Sequence, residues 1–496
     1  MNVVLNQTGA KRAPRVAVIG AGMSGILAAI KFREAGITEL TVYEKADGLG
    51  GTWRENTYPG LCCDVPSHMY RYSFAPNPEW SHRFSPGAEI LDYFKGVAKK
   101  HDIESYIKFN TEITRARFES GEWHLEAHDV SGGEDLNVVD IVVSAAGVLH
   151  HPVYPDIKGV DDFAGAVFHS ARWNHDVPLA GKRIGIIGTG STAVQITAEM
   201  VDKVAHLSLF QRTAQWIYSQ PNPAFSEQEK AVFRNEAGAM DSLRHSLTRL
   251  FADTFGEAVI GDEEQMQRIE EACQANLDDN VQDPGLKAKL TPDYQAACKR
   301  LIVSDTFYRA IQQPNAELVV ENIVHIEAAG VRTKDGRLHE LDVLVLATGF
   351  DGHSFMRPMD LTGRDGLELK DYWADATPAH RSVSLPGFPN FFMLVGPNSP
   401  IGNFSLVDIS EQQLAYIMQL VDLWRQGEIN EISAKQAATD TFNGTIRDAM
   451  KGTVWVSGCE SWYLDKNGNP AMWPFSYDKF CADMVTPNLD EYDLVS

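Results

Sequence analysis

The chain has 496 residues, a formal net charge of −23 and 44% hydrophobic residues. That length implies two or three domains with sizeable cores, and the composition is that of a soluble globular enzyme. The acidity, spread without a block of like charge, argues against nucleic acid and anionic membrane surfaces as partners.

Any phosphate must therefore be held by glycine loops and a few placed cations. The six cysteines, Cys62, Cys63, Cys273, Cys298, Cys459 and Cys481, are sparse and form no C-x-x-C. They are expected to be reduced thiols in a cytoplasmic protein. The opening MNVVLNQTGAKRAP has no apolar stretch of the signal-peptide kind. The run 16–30 is the most apolar, but Gly20, Gly22 and Gly25 interrupt it, so it reads as a buried strand and helix rather than a membrane span.

Residues 15–19, RVAVI, read as a parallel strand covered on both faces. They lead into Gly20-Ala21-Gly22-Met23-Ser24-Gly25 and a helical run, 26–32. In that context G-x-G-x-x-G is a dinucleotide loop. The first glycine allows the turn, the second lets backbone approach a pyrophosphate, and the third lets helix pack on strand. Glu44 ends the next strand, 40–43. A carboxylate there accepts ribose hydroxyls and repels a 2′-phosphate, so FAD or NAD suits this half better than NADP.

Gly50-Gly51-Thr52-Trp53, Tyr58-Pro59-Gly60 and Asp64 form a compact loop. Asp64 alone could equally be a turn-forming surface carboxylate. The run 140–147, DIVVSAAG, is a strand ending in small residues. His150-His151-Pro152 has no third ligand at useful spacing, so no metal is expected. The connector 163–173, FAGAVFHSARW, then precedes a second strand–loop–helix, 182–195, with Gly188, Gly190 and Ala193 in the three glycine roles. Its next strand, 206–210, ends in Gln211-Arg212-Thr213 rather than an acid. An arginine there can pair with a 2′-phosphate, so this site selects NADP.

From about 221 to 292 the pattern is helical, with Leu243, Leu247, Leu250, Phe251 and Phe255 on one face, expected to form the core of an insert. Lys299-Arg300 precede a strand, 301–303. In so acidic a chain the pair stands out, but alone it could be solvated. The run 342–349, DVLVLATG, mirrors 140–147, and 388–398 returns to a strand and a polar loop. Leu414, Ile417, Met418, Val421 and Trp424 fit a helix stopped at Gly427. Trp455, Trp462, Tyr463 and Trp473 in the tail either line an apolar pocket or cover the core.

Two nucleotide loops with this connector between them resemble the class B flavoprotein monooxygenases, and among these the Baeyer–Villiger monooxygenases. Their pattern F-x-G-x-x-x-H-x-x-x-W is present as Phe163, Gly165, His169 and Trp173. Their G-G-x-W, aromatic-Pro-Gly and Asp are present as Gly50, Gly51, Trp53, Tyr58, Pro59, Gly60 and Asp64. Asn174 replaces the usual Pro or Asp after the tryptophan. Tyrosine or phenylalanine at 173 would instead indicate N-hydroxylating relatives.

The resemblance implies an α/β fold of two dinucleotide-binding, Rossmann-like domains with a helical insertion in the NADP domain. The expected division is 1–150 and 346–496 for FAD, the latter with a pocket-covering segment at its end, and 151–345 for NADP, with the insert at about 221–298. Cofactor contacts are expected from Gly20, Gly22, Ser24, Gly25, Glu44, Gly51, Thr52, Trp53, Asp64, Tyr70 and Ile113. Further contacts are expected from Gly188, Thr189, Gly190, Ser191, Thr192, Ala193, Gln195, Arg212, Thr213, Lys299, Thr348 and Gly349. Lys299 would join Arg212 on the 2′-phosphate. Arg300 would face the flavin as a catalytic residue, Asp64 would position it, and His169 would be structural.

The implied activity uses FAD, NADPH and O₂, converting a ketone to an ester or lactone through a C4a-peroxyflavin. An N- or S-oxygenating flavin monooxygenase is the main alternative. A flavin disulfide reductase is disfavoured by the missing C-x-x-C, and a non-catalytic NADPH-binding regulator is the remaining reading. Neither the ketone nor the oligomeric state is indicated.

Overall fold

The structure is a computed structural model that describes residues 12–465, 467–469 and 471–496. Most of the amino-terminal segment read above lies outside the described residues. The first module is built on a five-stranded parallel sheet. Its order is Phe391–Met393, Ile141–Ser144, Val16–Ile19, Leu40–Tyr43 and Ile107–Lys108. The edge strand Phe391–Met393 comes from the far end of the chain, so both ends build one sheet. An antiparallel meander, Thr111–Glu119, Glu122–Asp129 and Glu134–Val139, stands beside it. Val18, Val42, Val143 and Phe392 are each 1% exposed or less, as expected where both faces of a sheet are covered.

The second module repeats the plan. Ala316–Val319, His206–Phe210, Arg183–Ile187, Val343–Leu346 and Ala166–His169 form a parallel sheet in that order. The connector therefore supplies this sheet's edge strand. At Gly165 a Cβ would lie 2.3 Å from the Asp342 carbonyl oxygen, so no larger residue lets the strand enter there. His169 is 1% exposed, and its Nδ1 accepts from the Ala171 amide at 3.0 Å. It acts as a local cap.

The helices of the insert are Glu227–Asn235, Ala239–Phe251, Glu257–Val259, Glu263–Asn280 and Pro284–Leu290. Its packing differs from the expectation of a self-contained core. Ala252, Val259, Met266 and Cys273 join the core of the first module, whereas Leu277, Val281 and Leu290 join that of the second. Leu250, expected inside, is 57% exposed, because the helix Ala239–Phe251 lays only one side on its neighbours. The insert therefore bridges the modules. Arg244 fixes one end of it through Asp408 at 2.8 Å and Glu411 at 3.3 Å.

The cysteine reading needs correction. Cys298 and Cys459 form a disulfide across 161 residues of chain, while Cys62, Cys63, Cys273 and Cys481 are free. The tail folds back onto the Lys299-Arg300 turn, a proximity that no spacing rule shows. In the chain-entropy relation, closing so long a loop is worth about 5 kcal/mol at most. Reduction with a phosphine should lower the thermal midpoint by several degrees, and Cys459→Ser should remove that response. Six titratable thiols in the denatured, unreduced protein would contradict a bonded pair.

Among the described residues no helix is long and apolar enough to cross a membrane. Buried histidines give a second stability expectation. Burial lowers His68 and His380 to about 4 from an ordinary value near 6.5. Neither ring nitrogen of His68 has a partner. The folded state prefers these rings neutral, so their contribution is full above about pH 6.5 and is lost as pH falls towards 4. Each could cost up to about 3 kcal/mol by linkage alone. Melting at pH 5 should therefore come at lower temperature than at pH 7.5, and His68→Phe should narrow the gap. An equal gap in the variant would dismiss His68 as a source.

Candidate active site

The first glycine loop ends in the helix Met23–Glu34, whose cap, Gly22, offers no side-chain acceptor. Its first amides are therefore free for an anion. At Gly25 a Cβ would fall 1.8 Å from the Gly20 carbonyl oxygen, which is why helix and loop touch there only through glycine. Gly20, Gly22, Ser24, Glu44, Gly51, Thr52, Trp53, Tyr70 and Ile113 line one cleft at the carboxyl edge of the first sheet. Gly25 lies behind it. Glu44 braces the loop, accepting from the Ala21 amide at 2.7 Å and the Ala46 amide at 2.9 Å. Trp53 Nε1 donates to the Tyr70 hydroxyl at 3.1 Å. Ser24 Oγ meets Ser410 Oγ at 2.9 Å, tying this helix to the helix Leu406–Arg425.

The second loop repeats the design. Gly188, Thr189 and Gly190 lead into the helix Ser191–Met200, again without a side-chain cap, with Ser191, Thr192 and Ala193 in its first turn. The Thr189 hydroxyl donates to the Thr213 carbonyl at 2.9 Å and the Thr348 hydroxyl to the Val153 carbonyl at 2.5 Å. Gly349 accepts from the Val153 amide at 2.9 Å, so Thr348 and Gly349 hold the two crossing segments of chain side by side. Gln195 is used differently from the expectation. Its Oε1 accepts from the Tyr58 hydroxyl at 2.8 Å and its Nε2 donates to the Cys62 carbonyl at 2.9 Å. Both ends of the amide are thus used in joining the modules, with one N–H and one lone pair left over.

Arg212 and Lys299 lie close enough to act on one another. Burial lowers the Lys299 ammonium first, and the Arg212 charge lowers it further. Two neighbouring cations beside an uncapped helix form a donor set that suits a phosphate dianion. The glycine cradle and uncapped helix of the first module likewise fit a pyrophosphate. Both dinucleotides therefore fit the residues present.

Arg300 joins the two halves. Its Nη2 and Nε donate to Asp64 Oδ2 at 2.7 and 3.2 Å, and its Nη1 to the Ile401 carbonyl at 3.4 Å. Both side chains of the ion pair are 29% exposed. Burial opposes the charge on Arg300, but Asp64 outweighs it, so the guanidinium holds its proton more tightly than usual. The pair is thus built, and Asp64 is not a surface turn residue.

Other cleft residues carry no motif: Lys45, Thr111, His150, Met356, Arg357 and Leu406 also line the first cleft. Several come from the second crossing of the chain, so only the fold collects them. Tyr463, whose phenol acts on the Arg300 charge, was seen in the sequence only as one of several tail aromatics. His150 Nε2 and His151 Nε2 donate to the carbonyls of Phe355 and Arg357, at 2.9 and 2.7 Å. Among the described residues no cluster could hold a metal ion.

The model of the family described as flavin-binding monooxygenase-like matches residues 13–359. An uncharacterized monooxygenase of Mycobacterium tuberculosis is 50% identical over 97% of this chain and 96% of its own length. A Baeyer–Villiger monooxygenase of Streptomyces coelicolor is 38% identical over 97% and 92%. The crystal structure of OTEMO in complex with FAD and NADP superposes with a TM-score of 0.87 at 26% identity, over 98% of this chain and 100% of that one. With two nucleotide modules meeting at Arg300, the chain belongs to the flavin-binding monooxygenase family, in its Baeyer–Villiger group.

Proposed function

We propose that this enzyme inserts one atom of O₂ beside a ketone carbonyl, giving an ester or lactone. The overall reaction balances as NADPH + H⁺ + O₂ + ketone → NADP⁺ + H₂O + ester. FAD, reduced by NADPH, supplies the activation of O₂. The single observation that carries the reading is Arg300, a permanently charged fork seated between the modules on Asp64.

The chain's own residues then have defined tasks. The two glycine loops and their uncapped helices hold the pyrophosphates. Glu44 steadies the first loop and takes the ribose. Arg212 and Lys299 select NADPH through its 2′-phosphate. Arg300 meets the negative charge that grows on oxygen, and the partly buried setting strengthens that contact. Asp64 anchors the guanidinium between the modules and balances its charge.

We also propose that the enzyme works in the cytoplasm. A disulfide survives there if reductant is kept out, and Cys298 is fully buried. The test is a panel of cyclic and linear ketones, a thioether and a tertiary amine, with products weighed by mass spectrometry. Ketones gaining 16 mass units as esters support the reading. Oxidation confined to sulfur or nitrogen would replace it with the heteroatom-oxygenating alternative.

A further inference from the structure

The hydrogen bonds of Arg300 leave its orientation underdetermined by Asp64 alone. Both bonds to that carboxylate end on one oxygen, Oδ2. This is not the two-oxygen fork that fixes a guanidinium in its plane. The bond to Ile401, at 3.4 Å, is too long to orient it. A guanidinium held at one point can tilt.

We infer that Tyr463 is a positioning residue for Arg300, its hydroxyl providing the second fixed point that holds the guanidinium in its working plane. The inference rests on the functional reading above. Tyr463 is 2% exposed and its phenol lies close enough to Arg300 for each to act on the other's charge. Its ring is gripped by Trp462, with centroids 4.5 Å apart, and Trp455, at 6.0 Å. Its carbonyl accepts from the Ala471 amide at 3.0 Å. A Cβ on Gly402 would lie 3.1 Å from the hydroxyl, which places that oxygen against the residue after Ile401, whose carbonyl Arg300 Nη1 reaches at 3.4 Å.

The tail that carries Tyr463 is itself fixed to the arginine turn. Cys459 is bonded to Cys298, and the charge of Glu460 acts on Lys299. Residues 459–463 therefore run along 298–300, with the tyrosine arriving at the arginine. Burial pushes the phenol up from its ordinary value, although Arg300 opposes this, so the hydroxyl keeps its proton and its oxygen is free to accept from the guanidinium.

The experiment compares the parent enzyme with Tyr463→Phe, loaded with FAD, measuring NADPH consumed, oxygenated product and hydrogen peroxide in the same reactions. The phenylalanine keeps the ring packing and removes only the second fixed point. The variant should still bind FAD and oxidise NADPH, with the KM for ketone little changed. Product per NADPH should fall about tenfold, since small misplacements of a catalytic group are costly, and peroxide should account for the missing electrons. A purely structural tyrosine would lower all rates together and leave the ratio alone. An unchanged ratio in folded, yellow protein would overturn the inference. If the parent oxidises only a thioether or amine, the functional reading fails separately. The same ratio taken with that substrate then decides the role of Tyr463.

Discussion

Arg300→Ala is expected to yield a folded, yellow protein that consumes NADPH and O₂ yet forms almost no ester. The guanidinium is permanently charged and offers donors in a fixed plane, which suits a site where negative charge appears on oxygen during the reaction. Loss of one such donor lowers turnover by about 10²- to 10³-fold in comparable settings. The electrons should leave as hydrogen peroxide, because the nucleotide loops are untouched. Removal also strands Asp64 without its partner, at 29% exposure, so some loss of stability should accompany it. Arg300→Lys should recover only part of the activity, since an ammonium keeps the charge and loses the planar fork. Normal ester yield from the alanine variant would remove Arg300 from its role.

Arg212→Ala should change which nicotinamide the enzyme prefers. The second module has no acid at the end of His206–Phe210, and it brings Arg212 beside Lys299. Each charge-assisted bond to a 2′-phosphate is worth about 1.5–3 kcal/mol, so kcat/KM for NADPH should fall roughly 10- to 100-fold. NADH has no such phosphate, and its kcat/KM should move little. Lys299→Ala should act in the same direction, and the double variant should fall short of the product of the two, because the cations serve one anion. An unchanged NADPH-to-NADH ratio in Arg212→Ala would refute the specificity argument.

Both nucleotide modules were readable from sequence because their physics is local. In each, a strand, a glycine turn and a helix follow one another directly, and the structure has that order at 16–34 and 183–200. The closing strand Phe391–Met393 was visible as an apolar run, yet its place beside Ile141–Ser144 depends on a distant return of the chain. What escaped was likewise long-range. Gln195 sits one turn into a nucleotide-binding helix, but its amide faces the loop carrying Tyr58 and Cys62. The Cys298–Cys459 bond and the approach of Tyr463 to Arg300 both follow from how the tail is laid down. Leu250 kept helical spacing and still faces outward, because periodicity locates a stripe and not its width.

A crystal structure of the protein loaded with FAD and NADP⁺ would test the central claim most directly. Arg300 should remain paired with Asp64 and stand against both the isoalloxazine and the nicotinamide, with Arg212 and Lys299 on the 2′-phosphate. A guanidinium turned away from both rings, with Asp64 paired elsewhere, would contradict it.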